Sequence, residues 1–209
     1  MEAEEIWQAV DVERRSLIEL LETLSDAEWE QASLCDGWRV RDVVAHVVLA
    51  TEGSLPFVLG AFVRARGNFN RAIRDSAVRY ARRAPAELLT QLRGTVGQRR
   101  CPPSTVPLDR LMDMLVHGQD IAIPLGRPRA MPPAAARAAT ERAWTRGFPF
   151  HPQRKLAGYR LRATDVDWSG GEGALVEGPI SALLLLVTGR KALVGQLSGP
   201  GSAGLASAA

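Results

Sequence analysis

Apolar residues return at helical spacing from the first turns of this chain onward. Ile6, Val10, Leu17, Leu20, Leu21 and Leu24 fall near one face, which predicts a helix over residues 4–24. Ser25-Asp26-Ala27-Glu28 has the spacing of a capping box and predicts a short helix or turn behind it. Residues 33–38 read as a loop ending in Gly37-Trp38. A second helix starts near Val40 and carries His46 inside the apolar run Val43-Val44-Ala45-His46-Val47-Val48. Asp42 falls in its first turn, where a carboxylate complements the helix dipole; a partner for His46 is the other role open to it. Gly53, Pro56 and Gly60 predict a bend or break between residues 51 and 62. Helical patterns follow over residues 71–83 and 85–96, then a connector rich in Pro and Arg over residues 97–107. The next helix opens near Pro107, a residue tolerated in a first turn, and runs to about Leu125. Its stripe carries Asp109, Asp113, His117 and Asp120. Residues 132–146 read as a further helix.

The period changes beyond residue 148. Tyr159-Arg160-Leu161-Arg162-Ala163-Thr164 alternates as a strand does. Residues 165–177 read as strand and turn, punctuated by Gly170, Gly171 and Gly173. No helix opens directly after these glycines, so they do not form a phosphate-binding loop. Residues 179–188 read as a short buried helix closed by Gly189, residues 192–197 as a last strand, and residues 199–209 as a frayed tail of small residues. The change of texture predicts two domains, a helical one over residues 1–150 and a small α/β one over residues 151–209.

Composition narrows the class. A chain of 209 residues buries a substantial core. Its longest apolar run, residues 180–188, is short of the roughly 20 residues that span a bilayer. The N-terminus is acidic, whereas a secretory signal opens basic and turns apolar, so a cytoplasmic location with no membrane partner is expected. The two cysteines, Cys35 and Cys101, then stay reduced. No His or cation is fixed beside Cys35 by local sequence, and it reads as a small buried residue rather than a nucleophile. Lysine occurs only at Lys155 and Lys191; every other basic residue is arginine. Residues 64–83 hold seven arginines against one acid, Asp75. With no nucleic-acid motif beside them they read as a solvated helix face, and no nucleic-acid partner is expected.

The chemistry lies with two of the three histidines. Asp113 and His117 stand four apart, so they share a helix face and can reach one ion. His46, from another helix, can complete a set of two His and one carboxylate with a position left open, which is the ligand pattern of a catalytic zinc site. Spacing alone favours a plainer reading: a core histidine with a hydrogen-bond partner, and an ordinary i,i+4 pair.

Three segments change that balance. Ser33-Leu34-Cys35-Asp36-Gly37-Trp38-Arg39-Val40-Arg41-Asp42-Val43-Val44-Ala45-His46-Val47 resembles the opening motif of the mycothiol-dependent maleylpyruvate isomerase family, within the wider DinB-like superfamily. Val116-His117-Gly118-Gln119-Asp120-Ile121-Ala122, followed by Leu125-Gly126-Arg127-Pro128, is similar to a second motif. Leu161-Arg162-Ala163-Thr164-Asp165-Val166-Asp167-Trp168, then Gly178-Pro179 and residues 184–190, is similar to a third. The resemblance implies a mainly α protein: a DinB-like four-helix bundle followed by a small α/β C-terminal domain. It implies a divalent metal, usually zinc, held by His46, Asp113 and His117. The family commonly has Glu where this chain has Asp113, one methylene shorter. It also implies an arginine from the C-terminal domain, for which Arg190 is the positional match; a cation at a helix C-terminus is Arg190's other reading. The expected function is a metal-dependent isomerase or S-transferase that uses a low-molecular-weight thiol, mycothiol, on a small electrophilic substrate. The rival expectation is a non-catalytic module for ligand sensing or protein interaction.

Overall fold

The computed structural model describes residues 1–52, 55–102 and 105–207. The chain divides into two compact units, Glu2–Arg129 and Ala130–Ala209. The first is built from α1 (Ala3–Glu22), α2 (Asp26–Trp29), α3 (Val40–Glu52), α4 (Leu55–Arg64), α5 (Phe69–Tyr80), α6 (Pro85–Gly94) and α7 (Pro107–Ala122). The second holds α8 (Pro133–Arg146), α9 (Pro152–Lys155), β1 (Gly158–Ala163), β2 (Ser169–Gly170), β3 (Gly173–Gly178), α10 (Ile180–Val187) and α11 (Ser202–Ser207).

Four helices of the first unit close a ring. α1 packs on α7 and α6, and α3 packs on the same two. This is the expected bundle, and α4 and α5 are an excursion between α3 and α6. The apolar faces predicted from spacing supply the core: Val10, Leu17 and Leu21 from α1, Val43, Val44 and Val48 from α3, and Leu111 and Leu115 from α7 are buried. Local signals set the ends. Ser25 Oγ accepts from Glu28 N while Glu28 Oε2 accepts from Ser25 N at 2.8 Å, a complete capping box on α2. Asp42 caps α3: its carboxylate accepts from Arg39 N at 2.9 Å and from the Arg39 guanidinium at 2.9 and 3.0 Å. α3 is described to Glu52 and α4 from Leu55; Gly53, where a break was predicted, lies outside the described residues. Pro56 stands in the first turn of α4, and Gly60 does not interrupt that helix.

The glycine of His117-Gly118-Gln119-Asp120 has a packing role. A Cβ on Gly118 would come within 3.0 Å of the Arg129 guanidinium. Arg129 crosses α7 there to meet Glu13 at 2.7 Å, both side chains 4% exposed, and Gln119 Nε2 donates to Arg129 O at 2.7 Å.

In the second unit β1 lies at the centre, antiparallel to β2 and parallel to β3. Gly173 opens β3 at φ +125°, with a Cβ there only 2.1 Å from Gly158 O, so only glycine fits. Asp165 Oδ1 accepts from Ile180 N at 2.8 Å and caps α10. The alanine face of α8, with Ala135, Ala136, Ala139 and Ala143 buried, packs against the leucines of α10. The seam between units therefore precedes α8, whereas the change of sequence texture suggested residue 150.

Two local expectations fail. Residues 192–197 form a turn and a 3-10 helix over Val194–Gln196, not a strand. Just beyond it, Ser198 forms an isolated antiparallel bridge with Glu177 of β3 rather than part of a ladder. The tail does not fray from Gly199. Ser202–Ser207 is helical, packs on β3 and buries Leu205; small residues allow this, because Gly201 lies close against Val176 and Tyr159.

Candidate metal centre

α3 and α7 pack side by side and bring His46, Asp113 and His117 together. The 3.6-residue period sets Asp113 and His117 one above the other on α7. Asp113 Oδ1 lies 3.6 Å from His46 Nε2 and 3.4 Å from His117 Nε2. The imidazole centroids are 4.8 Å apart and near perpendicular, at 76°. The side chains are 12–17% exposed.

These separations are long for hydrogen bonds. They lie close to the ligand–ligand edge of a tetrahedron with zinc bond lengths, roughly 3.3 Å. A second group, Cys35, His117 and Asp120, also converges, but its spacing differs. His117 Nδ1 is 2.8 Å from Asp120 Oδ2, and Cys35 Sγ donates to the same oxygen at 3.0 Å. Those are hydrogen-bond lengths. A carboxylate oxygen accepts, so Nδ1 of His117 carries a proton and donates to Asp120, while Nε2 faces Asp113 and His46.

Electrostatics separates the three residues. Burial prevails at His46 and lowers its pKa despite the nearby Asp113 carboxylate. Burial also opposes charge at Asp113, but the Arg110 guanidinium and His117 outweigh it and hold the carboxyl well below the usual range. At His117 the carboxylates of Asp113 and Asp120 outweigh burial and raise the imidazole well above its ordinary value. Arg110 Nη1 sits 3.4 Å from Asp113 Oδ2 and donates to Ala50 O, one turn beyond His46, at 2.9 Å. Oδ2 of Asp113 thus faces a cation while Oδ1 faces both imidazoles. The shorter Asp side chain still reaches the pair.

Sequence reading placed Asp120 on the right stripe but missed Cys35, which only the folded chain carries to within 3.8 Å of His117 Nδ1. Asp42 is committed to its cap on Arg39. Arg190 follows the left-handed turn at Gly189, and its Nη1 donates to Thr188 O at 2.8 Å at the C-terminal end of α10.

The helical bundle with its converging His-Asp-His group, and the α/β unit that follows it in the chain, define a mainly helical protein. Residues 10–101 match the family described as "Mycothiol maleylpyruvate isomerase N-terminal domain". Two solved structures share the fold. One is a crystal structure of the mycothiol-dependent maleylpyruvate isomerase, with TM-score 0.68 and 14% identity over 97% of this chain and 94% of that one. The other is a histidine-to-alanine mutant of the same isomerase, with TM-score 0.64 and the same identity and coverage. No curated protein matches the chain. Among the described residues no helix is long and apolar enough to cross a membrane.

Proposed function

We propose that this protein is a metal-dependent enzyme that uses a low-molecular-weight thiol, mycothiol, to isomerise a small electrophilic substrate or to transfer the thiol sulfur onto it. One observation carries the reading: a carboxylate oxygen stands between two imidazole nitrogens at co-ligand rather than hydrogen-bond distances. The match of residues 10–101 to that family supports the choice of thiol. His46, Asp113 and His117 hold a divalent cation, for which zinc suits the N and O donors. Bound there, the cation lowers the pKa of a thiol so that it stands as thiolate at neutral pH. Asp120 keeps the proton on His117 Nδ1, which leaves Nε2 free as a donor atom. Arg110 holds Asp113 Oδ2 and presents Oδ1 to the histidines. Trp38 stands beside the site, its ring 5.4 Å from that of His46. The thiol sulfur adds to an electrophilic carbon; rotation and expulsion of the thiol give isomerisation, and retention of the adduct gives S-transfer.

Arg190 is proposed to stabilise the negative charge that develops on the adduct. Arg190→Ala then lowers turnover by about 10²–10³, as loss of one charge-stabilising donor does, with metal content unchanged. Equal turnover in the variant returns Arg190 to its role at the end of α10.

The reading is tested by metal analysis of the purified full chain together with mycothiol consumption across a panel of electrophiles. One divalent ion per chain and metal-dependent loss of thiol are expected. A chain that takes up no zinc, and gains no thermal stability from it, is instead the non-catalytic module.

A further inference from the structure

The loop between α2 and α3 touches both histidines, and its geometry goes beyond what ligand binding alone requires. Ser33 N and Oγ both donate to Trp38 O, at 2.9 Å each, and Trp38 N donates to Cys35 O at 2.9 Å. Cys35 N donates to Ser33 Oγ at 3.1 Å. Gly37 turns the chain at φ +70°. The closed loop is docked on α7 by Leu34 N, which donates to Asp120 O at 3.0 Å. From this frame Trp38 lies against the His46 ring, and the Cys35 thiol points at the Asp120 carboxylate.

We infer that this loop positions both imidazoles, and that Cys35 is the residue that sets His117, acting through Asp120. The inference rests on the metal-binding reading above and names a role for a residue that the reading does not use. Asp120 Oδ2 takes two donors at once, Cys35 S–H and His117 Nδ1–H. The thiol fixes the carboxylate's rotation, and the carboxylate fixes the ring. Outer-sphere partners of a metal-bound histidine act in this way, orienting the ring and raising its basicity. Cys35 is therefore a positioning residue and not a nucleophile: its S–H is engaged with a carboxylate.

The test is zinc affinity of the full chain, read by competition with a chromophoric chelator and independent of turnover. The parent chain is titrated first. If it binds no zinc, the metal reading and this inference both fall, whereas zinc binding in the parent leaves the inference to be judged on its own variants. Asp120→Asn is expected to bind zinc about 10–100-fold more weakly. Cys35→Ala is expected to lose about 3–10-fold, the scale of one hydrogen bond. Cys35→Ser, which keeps a donor, recovers most of that loss and also serves if the alanine variant folds poorly. The Cys35→Ala/Asp120→Asn double variant is expected to bind no more weakly than Asp120→Asn alone, because both changes cut one chain of interactions. A purely structural role for Cys35 would not produce that coupling. Unchanged affinity in both Cys35 variants, or simple additivity in the double variant, overturns the inference.

Discussion

His117→Ala abolishes stoichiometric binding of a divalent cation and lowers thiol-dependent turnover by at least about 10³, the scale of several kcal/mol of lost metal assistance. The substitution does more than delete one donor. Asp113 Oδ1 is held between two imidazoles, and Asp120 Oδ2 between the His117 ring and the Cys35 thiol. Removing the ring leaves two remaining donors for the cation and takes one partner from each of two carboxylates, Asp120 being fully buried. His46→Ala should match it in metal loss but leave the Asp120–Cys35 contact intact. Metal analysis of both variants beside a mycothiol-consumption assay checks this. Full metal occupancy in His117→Ala would remove His117 from the ligand set.

Arg129→Met destabilises the helical unit by about 3–5 kcal/mol, the cost of leaving one member of a buried ion pair without its partner. Arg129 and Glu13 are 4% exposed at the side chain and meet at 2.7 Å, and Arg129 Nη2 also donates to Glu13 O at 2.9 Å. Methionine keeps the length of the stem and removes the charge, so the loss reports the stranded Glu13 rather than a cavity. Adding Glu13→Gln should recover part of it. Chemical denaturation of the three variants decides the matter. A loss below about 1 kcal/mol would mean that water reaches Glu13 and the pair is a surface one in effect. The effect bears on the site, since Arg129 packs on Gly118, the neighbour of His117.

Much of the bundle was legible because its signals are local. The periodicity of α1, α3 and α7, the Ser25–Glu28 box and the Asp113–His117 spacing each involve residues within one or two turns, where geometry follows directly from the 3.6-residue repeat. For the same reason the stripe holding Asp120 was identifiable. The resemblance of residues 33–47 and 116–122 to one family added what local physics does not supply, an expectation that His46 would meet the pair.

The tertiary structure decided the rest, through contacts between residues far apart in sequence. The Cys35 thiol meets Asp120, far along the chain, only when the loop docks on the end of α7. Charged residues of α1 lie on the buried side, with Asp11, Glu13 and Arg14 all under cover. An apolar pattern cannot report them, because their partners Arg99, Arg129 and Gln98 lie far along the chain. Residues 192–197 carry a strand-like composition, yet a strand exists only where a neighbour offers a ladder, and here β3 forms just an isolated bridge to the residue that follows, Ser198. The tail beyond Gly199 looks too small to order by itself but folds because β3 and Tyr159 present a close surface to its glycines. Helix periods and caps are written in neighbouring residues; burial of a charge, pairing of a strand edge and the meeting of His46 with His117 depend on which distant surfaces the chain brings into contact.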